Sequence, residues 1–107
     1  MRKRIYNWQG QRFAYLWLEG EPGQSLEKQS QGLFDRAGPE LASLGLALEK
    51  NVVRTRVYLV DADDWEPVSR AHGRRFGELR PANTLLQVGR LIGDYKVEIE
   101  AEAILNS

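Results

Sequence analysis

The stretch from Lys96 to Leu105 constrains the fold more than any other. Val97, Ile99, Ala101, Ala103 and Leu105 alternate with Glu98, Glu100 and Glu102. Period two is the period of a β-strand, so one face of this strand is apolar and the other is acidic. Such a strand needs a core on one side and water or another polar surface on the other. Residues 52–60 repeat the design with the opposite charge: Val53, Thr55, Val57 and Leu59 form one face, and Arg54, Arg56 and Tyr58 the other. If the two strands are neighbours, opposite charges meet across the ladder at roughly 0.2–1 kcal/mol per pair. A solvated outer face and a subunit-facing surface with a polar cleft both fit this alternation. Tyr58 and Trp17 add large amphipathic rings of the kind interfaces use.

The rest of the chain divides at its Gly and Pro residues. Residues 4–19 read as a hairpin: Asn7 to Gly10 supplies the turn, and Phe13 to Leu18 is an aromatic-rich strand. Glu19 to Gly23 is a loop. Ser25 opens a helix as its N-cap, and Lys28 stands where a capping box would place Glu or Gln. Leu26, Leu33, Ala37, Leu41 and Leu44 recur near helical spacing, and Gly45 fits the stop. Gly38-Pro39 falls inside this helix and should kink or split it. Asp63 or Asp64 caps a second helix with Pro67 in its first turn, ending near Phe76 and Gly77. Residues 83–90 and 96–105 are the last strands, joined by residues 91–95. The order predicts a mixed sheet with both helices on one face.

The sequence has 107 residues, enough for one domain with a modest core that oligomerisation would supplement. Fifteen basic residues balance fifteen acidic ones, which removes the electrostatic motive for a nucleic acid or anionic membrane partner. With no cysteine and one histidine, disulfides, thiolate catalysis and a His-rich metal site within one subunit are excluded. No apolar segment follows the basic start at Arg2 to Arg4, and no run approaches the ~20 residues of a membrane helix. A cytoplasmic protein without cofactor or metal is expected. Asp61, Asp63 and Asp64 are explained by capping, Arg70, Arg74 and Arg75 by a solvated helix face, and His72 by helix packing.

Pro81-Ala82-Asn83-Thr84 runs into Leu85-Leu86-Gln87-Val88-Gly89-Arg90-Leu91, followed by Val97-Glu98-Ile99-Glu100-Ala101. This pairing resembles the two terminal strands of the Rid (reactive intermediate deaminase, YjgF-like) family. Residues 52–59, Asp64-Trp65, Phe76 and Gly45 extend the resemblance over roughly residues 25–105. It implies an α+β fold like chorismate mutase, a mixed sheet with two helices on one face. It also implies a homotrimer whose sheets form a central barrel, with small-molecule clefts between subunits. Strands 52–60 and 96–105 would be antiparallel neighbours.

Active members of that family carry an arginine directly after Pro-Ala, which grips a substrate carboxylate bidentately. A glutamate, the first of Val-Glu-Ile-Glu, positions or activates water. Here Glu98 holds the glutamate position and Asn83 the arginine position. Losing that charge-assisted contact should weaken carboxylate binding by about 1.5–3 kcal/mol or more. Leu85 stands two residues on, and Glu19 precedes Gly20 where the family has Ser. Glu19 and Glu98 favour a neutral or cationic ligand unless Arg54, Arg56 or Arg90 reaches in. The expected site is therefore Glu98 as the acid/base or water-orienting group. Asn83, Leu85, Gln87, Glu19, Trp17, Tyr58 and Arg56 would be its ligand contacts. Three functions follow: a trimer diverged to another small metabolite, a non-enzymatic ligand-sensing or partner-binding trimer, and a weak imine deaminase using Arg56 or Arg90.

Overall fold

The computed structural model describes residues 2–35, 37–78 and 80–105. Two strands, β1 (Arg2–Trp8) and β2 (Gln11–Leu18), form the expected hairpin. Gln9 and Gly10 both take positive φ, +50° and +80°, as a type I′ turn requires. Three helical segments follow: α1 (Leu26–Gly32), α2 (Ala37–Ala42) and α3 (Leu48–Asn51). Strand β3 (Val52–Leu59), helix α4 (Glu66–Phe76), strand β4 (Ala82–Gln87) and strand β5 (Val97–Leu105) complete the chain.

The sheet order is β1-β2-β5-β3-β4. The last strand in sequence is thus the middle strand in space. It runs antiparallel to both β2 and β3, while β3 and β4 are parallel. The alternation of β5 holds for its core-facing row: Val97, Ile99, Ala101, Ala103 and Leu105 are all buried, and Ile104 on the other face is exposed. With Leu16, Leu18, Val57 and Leu59 they meet Leu33, Phe34, Leu41, Val68 and Phe76 in one core, so the helices cover one face of the sheet. The other face is uncovered.

Several local expectations are corrected. The first helix is split, but not at Gly38-Pro39. Bonds from Leu33 N to Ser30 O (3.4 Å) and Asp35 N to Gly32 O (3.2 Å) tighten its end one turn earlier. Pro39 then lies in the first turn of α2, where its missing N–H costs nothing. Val53 is exposed rather than core-facing, because a bulge between Val52 and Arg54 inserts one residue into the ladder with β5. Neither Asp63 nor Asp64 caps α4. Asp61 accepts from Asp63 N and caps a short 3₁₀ turn, Ala62–Asp64. The two last strands in sequence, β4 and β5, are separated in the sheet by β3.

One side chain joins the parts. Gln29 on α1 is fully buried. Its Nε2 donates to Gln24 O (2.9 Å) and Asp94 O (3.1 Å), and its Oε1 accepts from Lys96 N (2.8 Å). The carboxamide thereby replaces backbone partners that two loops lack. The helix sits so close to the chain at Gly20 that a Cβ there would lie 2.4 Å from Gln29 O.

Gly20→Ala should therefore destabilise the protein by about 1–3 kcal/mol or more, read as a lower urea midpoint, because backbone cannot yield as a flexible side chain could. Gln9→Asn should stabilise it by up to about 1 kcal/mol in the same titration, since Asn tolerates the left-handed conformation that Gln occupies at a cost.

Candidate functional site

Glu98 points away from the helices yet is only 6% exposed. It lies at the base of a cleft of ≈550 Å³ with Arg2, Trp17, Glu19, Arg90 and Tyr95 around it and Leu91 and Ile92 at its rim. Burial raises the Glu98 pKa above the ordinary carboxylate value, and the negative Glu19 adds to that. A hydrogen bond from Trp17 and the Arg2 guanidinium act in the opposite direction. Of the arginines expected to reach in, Arg90 does and Arg54 and Arg56 do not; Arg2 joins it.

Arg56 and Tyr58 lie on the same uncovered face but outside this cleft. The register sets Arg56 opposite Glu100 and Tyr58 opposite Glu98. The side chains pair diagonally instead: Arg56 Nη1 bonds Glu102 at 2.7 Å, and the Tyr58 hydroxyl donates to Glu100. Tyr58 stacks on Trp17 with ring centres 5.8 Å apart, which places it one ring removed from Glu98. Arg54 donates to Thr84 at 2.7 Å. Between β3 and β5 one pair of opposite charges therefore meets, Arg56 with Glu102, one step off register, while Arg54 has a hydroxyl partner instead.

Asn83, Leu85 and Gln87 face the other way. They oppose Thr55, Val57 and Leu59, the core-facing row of β3. Gln87 is engaged in structure, its Oε1 accepting from Ala62 N (2.9 Å). Asn83 and Leu85 line a second, smaller cavity of ≈120 Å³ beside α4, with His72 and Arg80. Thr55 donates to Asn83 Oδ1 at 2.8 Å, and His72 Nε2 lies 2.9 Å from the Thr55 hydroxyl. Burial, then the Arg80 charge, lowers the His72 pKa, so its ring is neutral at neutral pH. Within one subunit the sheet separates this group from Glu98, Glu19 and Trp17.

The sequence pattern gives Thr55 to the core-facing row and His72 to helix packing, and does not single out Arg80. The signal available is Thr55, a hydroxyl in an apolar row, since a buried polar group needs a partner. No group of three or more His, Asp or Glu side chains is arranged to hold a metal ion among the described residues. No helix among them is long and apolar enough to cross a membrane.

The sequence pattern of the Endoribonuclease L-PSP family matches residues 17–105. A RutC family protein of Synechocystis is 35% identical over 82 residues, 76% of this chain and 62% of that protein. The human 2-iminobutanoate/2-iminopropanoate deaminase is 31% identical over 98 residues, 83% of this chain and 72% of that one. The chain spans just over three fifths of the length of its first bacterial relatives, 63% and 62%. The crystal structure of a YjgF/YER057c/UK114 family member from Mycobacterium tuberculosis superposes with a TM-score of 0.77 at 32% identity, covering 87% of this chain and 79% of that one. With the family pattern running from Trp17 in the larger cleft through Asn83 beside the smaller cavity to the end of the central strand, this chain belongs to the Endoribonuclease L-PSP family, the YjgF or Rid proteins.

Proposed function

We propose that the protein is a homotrimer with small-molecule clefts between subunits, acting on a small metabolite by chemistry diverged from imine hydrolysis. The observation that carries this reading is the placement of the two half-sites on opposite faces of one sheet. A ligand can touch both only if a second copy brings its Glu98 cleft against the β4 side of the first. The uncovered face suits such a contact: Tyr15, Val53 and Ile104 are exposed on the sheet, and Ile92 at the rim of the Glu98 cleft is 91% exposed. Sedimentation equilibrium should give three times the 12.2 kDa of the chain. A lone subunit at micromolar concentration would refute the reading.

Glu98 is the proton-transfer or water-orienting group. A carboxyl with a raised pKa is better matched to proton transfer near neutrality than an ordinary one. The Asn83 position carries no fixed cation, which argues against the activity for which the human relative is named. Glu98→Gln should lower turnover on any accepted substrate by about 10²-fold or more. Unchanged turnover would leave the non-enzymatic reading, a trimer that binds its ligand without reaction. That second reading is favoured by the engagement of Asn83 Oδ1 with Thr55.

The same variant makes a prediction about stability. The folded-state pKa of Glu98 is raised, so its contribution to stability is fully present below the unfolded carboxylate pKa and is lost as pH rises through the folded value. Glu98→Gln removes that loss. Its urea midpoint should exceed that of the parent at about pH 8, and the gap should close towards about pH 4.

A further inference from the structure

Glu98 is buried on a face that no helix covers, and the side chains around it explain how. In the register of the sheet it stands opposite Tyr58 of β3, and Trp17 of β2 stands opposite Glu100, the next residue in its row. Side chains at such opposite and diagonal positions start about 4.5–8 Å apart, within reach of large rings. The Trp17 indole donates a hydrogen bond to Glu98. Against the indole stacks the Tyr58 ring, with centres 5.8 Å apart and planes 19° from parallel. From the β1 side the Arg2 guanidinium lies over the same indole, 5.3 Å from its centre.

The stack is tethered at its far end, because the Tyr58 hydroxyl donates to Glu100. That bond, then burial, raises the phenol pKa, so Tyr58 keeps its proton and remains a donor at neutral pH. An indole without neighbours turns about two side-chain bonds. With a guanidinium and a tethered ring against it, the direction of its N–H is set. A carboxyl has two oxygens, and an N–H on one leaves the other to face the cleft.

We propose that Tyr58 is a positioning residue that acts through Trp17: tethered to Glu100 and stacked against the indole, it keeps the Trp17 N–H on one oxygen of Glu98 and leaves the other oxygen for the ligand. The inference rests on the reading of Glu98 as the proton-transfer or water-orienting group. It gives two neighbouring glutamates of β5 separate duties, Glu98 towards the ligand and Glu100 towards the residue that aims it. The remaining groups near Glu98 are the oppositely charged Glu19 and Arg2, with Arg90 and Tyr95 on the cleft wall.

Carbon-13 NMR of the full chain reads the Glu98 carboxyl, identified by its absence from the Glu98→Gln spectrum. Nitrogen-15 NMR reads the indoles of Trp8, Trp17 and Trp65, and the signal missing in Trp17→Phe is that of Trp17. In the parent, the Trp17 N–H should move with pH at the Glu98 midpoint, and in Glu98→Gln it should not. Trp17→Phe keeps a ring in place and removes the donor, so the Glu98 midpoint should rise. Tyr58→Leu keeps the bulk and removes stack and tether. It should raise the midpoint by less and speed solvent exchange of the Trp17 N–H about fivefold. Tyr58→Phe retains the ring and should fall between Tyr58→Leu and the parent. A Trp17 N–H that does not follow Glu98 overturns the proposal, as does a Glu98 midpoint that neither Trp17→Phe nor Tyr58→Leu moves. On an accepted substrate, the limb of the pH–rate profile that belongs to Glu98 should shift with the midpoint in each variant. A midpoint that moves under a fixed profile upholds the tether and overturns the assignment of proton transfer to Glu98.

Discussion

A strand in the middle of a sheet must satisfy two edges and two faces at once, and β5 is that strand. Its backbone pairs with β2 on one side and β3 on the other. Its apolar row anchors the core under the helices, and its glutamates organise the open face. Glu102 and Glu100 hold Arg56 and Tyr58, and Glu98 closes the base of the larger cleft. A one-residue slip of this strand would bury three carboxylates and expose five apolar side chains. The fold has no competing register to fall into.

That clarity is why the architecture is legible in the sequence. Alternation is a local pattern, and β5 displays it from Val97 to Ala103 and β3 over most of its length. Legibility ends where local pattern and three-dimensional context part. The spacing of Leu33, Ala37 and Leu41 continues across a helix break, because all three reach the same core from separate segments. Val53 obeys the period in sequence but not in space, since a bulge adds a residue that no spacing rule reveals. Gln29 gives no signal because a glutamine on a helix reads as surface, and two of its three partners are backbone groups of a loop some 65 residues away.

The candidate site is legible in half. Motif finds Glu98 and Asn83, and the structure gives each a cavity. What motif does not convey is which face each residue occupies, because β3 lies between β4 and β5. Nor does it convey the company each keeps. His72 reads as one more helix residue until its ring is seen to reach Thr55, and Arg80 reads as the end of a loop until its guanidinium is seen over Gly73. The electrostatics of the two cavities therefore differ. The larger one mixes two carboxylates with two arginines, whereas the smaller holds one cation alone.

The two outer strands of the sheet are guarded unequally. Strand β1 begins Arg2-Lys3-Arg4, a run of like charge that repels a second strand of its kind. Strand β4, Ala82–Gln87, has no charge at all and two adjacent leucines, and it is the other edge. Unshielded edges of that composition recruit foreign strands and seed aggregates. Packing of copies over β4 would thus protect each subunit as well as complete a pocket. Selection against aggregation and selection for ligand binding would then bear on the same six residues, and a mutation that loosens the assembly would carry a solubility penalty before any loss of chemistry became visible.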